Sequence, residues 1–224
     1  MRKKWLLILP VLLLAVVITV LALRLLGGES DPENHFTVPE HILICLDAGH
    51  GGHDVGAVNG DRYEKDDNLR MALAVQETLE RTGFDNLSVM LTRTDDTFLE
   101  LEERVQIAND ADATLFLSFH RNSGGGQGVE TWISAEGQWP ETALATYIQN
   151  GLGEAGVTRD RGVKKGTASN PHASYYVVGN TEMPACLLEL GFIDSDEDNA
   201  AFDAYFDAWA EAIADGILQM VALR

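Results

Sequence analysis

The feature that most constrains this chain is a set of short, mostly apolar runs, each followed closely by a residue able to do chemistry. Ile42-Leu43-Ile44-Cys45-Leu46 leads into a glycine-rich loop carrying His50. Thr114-Leu115-Phe116-Leu117-Ser118-Phe119 ends at His120, and Ala185-Cys186-Leu187-Leu188-Glu189-Leu190 carries a carboxylate inside it. A strand exposed on one face alternates apolar and polar residues, whereas a near-continuous run marks a strand covered on both faces.

Between these runs the spacing turns helical. Leu69, Ala72, Leu73, Gln76 and Leu79 predict a helix over 68–81, with Gly83 stopping it. Leu101, Val105 and Ala108 predict a second over 99–109, and a third is expected over 142–152. A final helix over 199–223 would carry Phe202, Phe206, Trp209, Ile213, Ile217 and Met220 as a core stripe. Further strands are expected at 87–92, 129–134 and 175–178. Alternating strands and helices predict an α/β fold: a mostly parallel twisted sheet with helices on both faces.

The amino-terminal part reads differently. Arg2, Lys3 and Lys4 precede an apolar run from Trp5 to Leu26, long enough to cross a hydrocarbon core of about 30 Å. Residues 1–4 are expected in the cytoplasm, 5–26 as a transmembrane signal anchor, 27–40 as a polar linker, and 41–224 as one catalytic domain outside. The alternative is a cleavable signal peptide, but the run exceeds the usual apolar region and Ala22-Leu23-Arg24 is a poor cleavage site. Both readings export the domain.

Charge narrows the function further. The formal net charge is −19, from 16 basic and 35 acidic residues. Residues 1–28 hold four of the basic ones and no acidic ones, leaving −23 on the remainder. So acidic a surface repels phosphate backbones, which excludes nucleic-acid binding as a role. Cys45 and Cys186 each lie within an apolar run and read as free buried thiols.

In open α/β sheets, loops at the carboxyl ends of strands build the active site. His50, His120 and Glu189 stand at or near such ends, and Glu64 lies in the loop that opens the next helix. Two imidazoles, one carboxylate and an open position suit a catalytic zinc ion, with a second carboxylate as general base. Each residue also has a plainer reading. His50 could be a loop histidine, His120 a satisfied core histidine, and Glu64 a helix-terminus carboxylate with Asp66 and Asp67. Glu189 is the anomaly, because a carboxylate among Leu187, Leu188, Leu190 and Phe192 is costly to bury without a partner. Spacing leaves these alternatives open.

Several motifs, in order, resemble the zinc-dependent N-acetylmuramoyl-L-alanine amidases of the type 3 amidase family, over about residues 42–222. Leu46-Asp47-Ala48-Gly49-His50-Gly51-Gly52-His53-Asp54 resembles the first metal motif, Glu64-Lys65-Asp66-Asp67-Asn68 the carboxylate ligand segment, and Ser118-Phe119-His120-Arg121-Asn122-Ser123 the second histidine motif. Met183-Pro184-Ala185-Cys186-Leu187-Leu188-Glu189-Leu190-Gly191-Phe192 resembles the segment bearing the catalytic glutamate. Thr92-Arg93-Thr94-Asp95 and Leu101-Glu102-Glu103-Arg104 match a stretch read as structural.

The resemblance implies Zn2+ held by His50, Glu64 and His120, with Glu189 as general base. The implied substrate is peptidoglycan, cut at the amide between N-acetylmuramic acid and L-alanine. A zinc peptidase cutting within the stem peptide and a catalytically silent wall-binding module are the alternatives. Arg121 replaces the family's usual small residue and is expected to add positive charge at the cleft edge. His53 and His172 are expected outside the metal set, and Glu130 is a candidate supporting group. The 68 residues between His120 and Glu189 are filled by recognisable elements, which predicts an open cleft.

Overall fold

The computed structural model describes residues 36–222. The expected cytoplasmic start, membrane anchor and most of the linker therefore lie outside the described residues. Among those described, no helix is long and apolar enough to cross a membrane.

The apolar runs form the sheet. Strands β1 (Ile42–Ala48), β4 (Leu87–Leu91), β5 (Leu115–Asn122), β6 (Val129–Ile133), β7 (Asp160–Lys165) and β8 (Ala185–Phe192) pair in the order β4-β1-β5-β8-β6-β7. The first four run parallel, but β6 pairs antiparallel with β8, and β7 follows β6. Mostly parallel is thus correct, with two reversed strands at one edge. A small hairpin, β2 (Val58–Asn59) and β3 (Arg62–Tyr63), precedes the first helix.

Helices cover both faces. Alternation along β1, β5 and β8 sends Ile44, Leu46, Leu117, Phe119, Cys186 and Leu188 to one face. There they pack against α1 (Glu64–Glu80), α3 (Trp139–Gly156) and α6 (Phe206–Met220). Cys45, Phe116, Ala185 and Leu187 point the other way, toward α2 (Leu101–Asp110) and α4 (Tyr176–Asn180). Cys45 and Cys186 are free and buried, as expected, and burial pushes the Cys45 thiol up to about 12.

Three elements differ from expectation. Residues 175–178 form no strand: the one-turn α4 instead buries Val177 and Val178, because a four-residue apolar run satisfies either period. The last helix is two, α5 (Asp196–Ala204) and α6, broken at Tyr205. Ser195 caps α5 by accepting from the Asp198 N–H at 3.2 Å, and the break stacks Phe202 edge-on against both Phe206 and Trp209. Strand β7 is polar (DRGVKK), as suits an exposed sheet edge, and so carries no apolar signal.

At the centre lies a buried ion pair. Asp47, at the end of β1, is fully enclosed and accepts from Thr92 Oγ1 at 2.7 Å, Ser118 Oγ at 2.6 Å and Arg104 Nη1 at 2.8 Å. Burial opposes its ionisation, but the Arg104 charge and these hydrogen bonds outweigh it and hold the carboxyl below its usual range. Because the native value is depressed, the pair's stabilisation is present above the unfolded value of about 3.9 and is lost as pH falls toward the native one. Asp47→Asn leaves Arg104 buried without its counter-charge and is expected to cost about 3–5 kcal/mol at pH 7. It should also flatten the acid limb of stability in urea unfolding below about pH 5; a variant as stable as the parent at pH 7 refutes this.

Candidate active site

The carboxyl ends of β1 and β5 and the first turn of α1 meet above the sheet. Strand period and register set the approach: His120 pairs with Glu189 across β5 and β8, so their side chains project to the same face. The loop after β1 brings His50, held in the left-handed region at φ 61°. For a residue with a Cβ that conformation is costly, and such strain persists where the surroundings over-determine it. Two buried arginines do so. Arg104 donates to the carbonyls of Ala48 at 2.7 Å and His50 at 2.8 Å, and Arg93 donates to those of Ala48 and Gly49 at 2.8 and 3.1 Å.

Glu64 is the first residue of α1, which starts four residues earlier than the apolar spacing suggested. Its Oε1 lies 3.2 Å from His50 Nε2 and 2.9 Å from His120 Nδ1, and one ligand-type atom from each residue falls within 4.8 Å of the others. The Glu64 carboxylate also accepts from the backbone N–H groups of Arg121 at 3.0 Å and Ala57 at 2.8 Å. Asp54 Oδ2 lies 2.8 Å from His50 Nδ1, which favours a proton there and leaves Nε2 free to coordinate. The two rings meet edge to face, 5.0 Å apart.

Glycine makes this convergence possible. A Cβ on Gly49 would sit 2.3 Å from His120 Cε1, and one on Gly56 would sit 2.6 Å from Glu64 Oε2. At Gly56 the φ of +66° also disfavours any L side chain.

Charge in the site is lopsided. Burial opposes ionisation of Glu64, yet hydrogen bonds and charges from His120 and His50 hold it far below the usual carboxylate range. Burial likewise disfavours a charged His50, but Glu64 and Asp54 outweigh it and raise its pKa. Glu189 shifts the other way. Its Oε2 is buried with no hydrogen-bond partner among the described residues, and burial, then the charges of Glu64 and Glu130, push its pKa well above the ordinary value. Three carboxylates, Glu64, Asp54 and Glu189, thus stand around two imidazoles, an arrangement that attracts a positive ion. Donors bound at about 2.0–2.1 Å around a tetrahedral ion lie about 3.3 Å apart, so the spacings from Glu64 Oε1 fit one. The two histidine side chains keep 25% and 20% of their exposure, so solvent reaches the site. Beside them lies a cavity of about 310 Å³ bordered by Phe98, Leu99 and Val177.

A family model described as N-acetylmuramoyl-L-alanine amidase matches residues 44–219. The chain belongs to the type 3 N-acetylmuramoyl-L-alanine amidase family. This family member is 35% identical over 185 residues to the sporulation-specific N-acetylmuramoyl-L-alanine amidase of Bacillus subtilis (strain 168), covering 82% of this chain and 69% of that one. It is 40% identical over 183 residues to the uncharacterized protein YqiI of the same strain, covering 80% and 84%. Among solved structures, the catalytic domain of CwlV, an N-acetylmuramoyl-L-alanine amidase from Bacillus (Paenibacillus) polymyxa var. colistinus, matches with a TM-score of 0.72 at 37% identity. That match covers 82% of this chain and 99% of the other.

In this amidase domain the structure sorts the remaining candidates. His53 is exposed and stacks on Phe98 at 4.2 Å, and His172 is exposed in its loop. Glu130 faces Glu189 across the antiparallel β6–β8 pair and accepts from Arg161 Nε at 2.7 Å and Asn122 Nδ2 at 2.9 Å. Arg121 corrects its expectation. It is buried, not at the cleft edge, because alternation along β5 turns it to the face opposite His120. Asp54 and Asn122 were missed, although His50 and Asp54 stand four residues apart within one motif. Gly56→Ala is expected to weaken divalent-metal binding at least about tenfold while leaving the fold intact, as read by metal titration beside circular dichroism. Unchanged affinity refutes the close approach at Gly56.

Proposed function

We propose that this chain is a zinc-dependent peptidoglycan hydrolase that cleaves the amide between the lactyl group of N-acetylmuramic acid and L-alanine of the stem peptide. The observation that carries the reading is Glu189: a buried carboxylate oxygen without a partner among the described residues, on the strand paired with β5 at His120, in a member of this amidase family. His50 Nε2, a Glu64 carboxylate oxygen and His120 Nδ1 are the proposed zinc ligands. Zinc, when bound, polarises a carbonyl and lowers the pKa of a water molecule, from 15.7 to about 7 in well-studied cases.

The chain's own residues do the rest. Asp54 holds the His50 imidazole in its coordinating tautomer. Glu189 takes a proton from the attacking water at a carboxylate oxygen and returns it to the departing alanine nitrogen as the carbon–nitrogen bond breaks. Water thus supplies hydroxyl to the lactyl carbonyl carbon and hydrogen to the amine. A cation beside Glu64 favours the ionised form of Glu189 that this step requires, offsetting burial and the neighbouring carboxylates. Glu130, held by Arg161 and Asn122, stands across from Glu189.

Residues 5–26 are proposed to anchor the enzyme in the bacterial cell membrane with residues 41–224 outside, close to the polymer. Glu189→Gln is expected to retain bound zinc but lose activity by about 100-fold or more. Mass analysis of digested muropeptides checks both the bond and the base. Free stem peptides starting at L-alanine are the expected product, abolished by chelator. Cuts within the stem, or zinc binding with no release, overturn the amidase reading; an active Glu189→Gln variant removes Glu189 from its role.

A further inference from the structure

We propose that Arg121 is a positioning residue for the metal centre, holding Glu64 between the two imidazoles through Asp67 while touching neither substrate nor metal. The proposal rests on the metal reading given above. Arg121 follows His120 directly, and the two side chains leave β5 on opposite faces. Its backbone N–H donates to Glu64 Oε1 at 3.0 Å, and its guanidinium Nη1 donates to Asp67 Oδ2 at 2.5 Å. Glu64 and Asp67 are three residues apart on α1, so they occupy one side of its first turn. A single residue therefore grips that turn at two points, once at the proposed metal site and once behind it.

The same guanidinium also ties in α5 and the end of β8. Nη2 donates to Asn199 Oδ1 of α5 at 2.7 Å, and Nε donates to the Gly191 carbonyl at 3.4 Å, two residues beyond Glu189. Its carbon lies 4.3 Å from the Phe202 ring centroid, a cation–π contact in a buried setting. With a buried carboxylate, a planar fork and an aromatic face all satisfied by one side chain, arginine is not interchangeable with lysine here. Burial lowers the Arg121 pKa to about 10, and the group still carries its charge at neutral pH.

A purely structural role predicts lost stability alone, whereas positioning predicts lost metal affinity in a folded protein. Asp67 also accepts from Arg62 Nε at 2.6 Å, so Arg121→Met is not expected to strand that carboxylate. Zinc affinity of the full chain, measured against a competing chelator, is expected to fall about 10–100-fold in Arg121→Met and about tenfold in Asp67→Asn, with partial recovery in Arg121→Lys. Arg70→Gln, which removes the exposed Asp203 contact and the outer cation–π contacts with Phe206 and Phe202 but leaves Asp67 and Glu64 untouched, should stay within about threefold. If Arg121→Met fails to fold, Asp67→Asn and Arg121→Lys decide by the same titration. Wild-type zinc affinity in the folded Arg121 and Asp67 variants, with only a lowered melting temperature, overturns the proposal. A parent chain that binds no zinc instead overturns the metal reading beneath it.

Discussion

The carboxylate of Asp47 is the interaction on which the rest of the domain depends. It lies near the end of strand β1, between β4 and β5, and joins Thr92 just beyond β4, Ser118 on β5 and Arg104 on α2. A lone charge at that depth would be intolerable, so Arg104 must be drawn in to meet it. Once there, Arg104 has donors left over, and it uses them on the carbonyls of Ala48 and His50. The element that neutralises the core charge thereby also shapes the loop presenting His50. Core and site share one set of bonds.

The site itself is a consequence of strand period and register. Two-residue alternation separates His120 from Arg121, sending one to the proposed metal and the other into the opposite core. Parallel pairing of β5 with β8 sets His120 against Glu189, and the reversal at β6 brings Glu130 alongside from the other direction. The result is a cluster of carboxylates around two imidazoles, in which Glu189 resists ionisation and Glu64 holds its charge. That imbalance is what makes the arrangement receptive to a cation.

Much of this was legible in one dimension. Long apolar runs announced β1, β5 and β8, because a strand buried on two faces has nowhere to put polar residues. Helical spacing gave most of α1, α2 and α3, and the stripe from Trp209 to Met220 gave α6. Polar β7 and the four-residue segment that became α4 were not legible, because edge strands and single turns owe their form to neighbours rather than pattern. The break at Tyr205 belongs with them, since stacking of Phe202 on Phe206 and Trp209 is a property of the folded core.

For the site, residue types and motif order were enough to nominate His50, Glu64, His120 and Glu189, and the tertiary structure decided how they are arranged. Only three-dimensional packing shows Glu64 Oε1 between two imidazoles, a Glu189 oxygen without a partner among the described residues, and Asp54 behind His50. Arg121 marks the boundary most clearly. By composition it is a cation next to a ligand, and an edge charge was the natural expectation. Its true place, buried between Asp67, Asn199 and Phe202, follows from the pleat of one strand and from a counter-charge 54 residues away. Local sequence determines which chemistry a chain carries; long-range pairing determines which groups meet, because distance along the chain says nothing about distance in space.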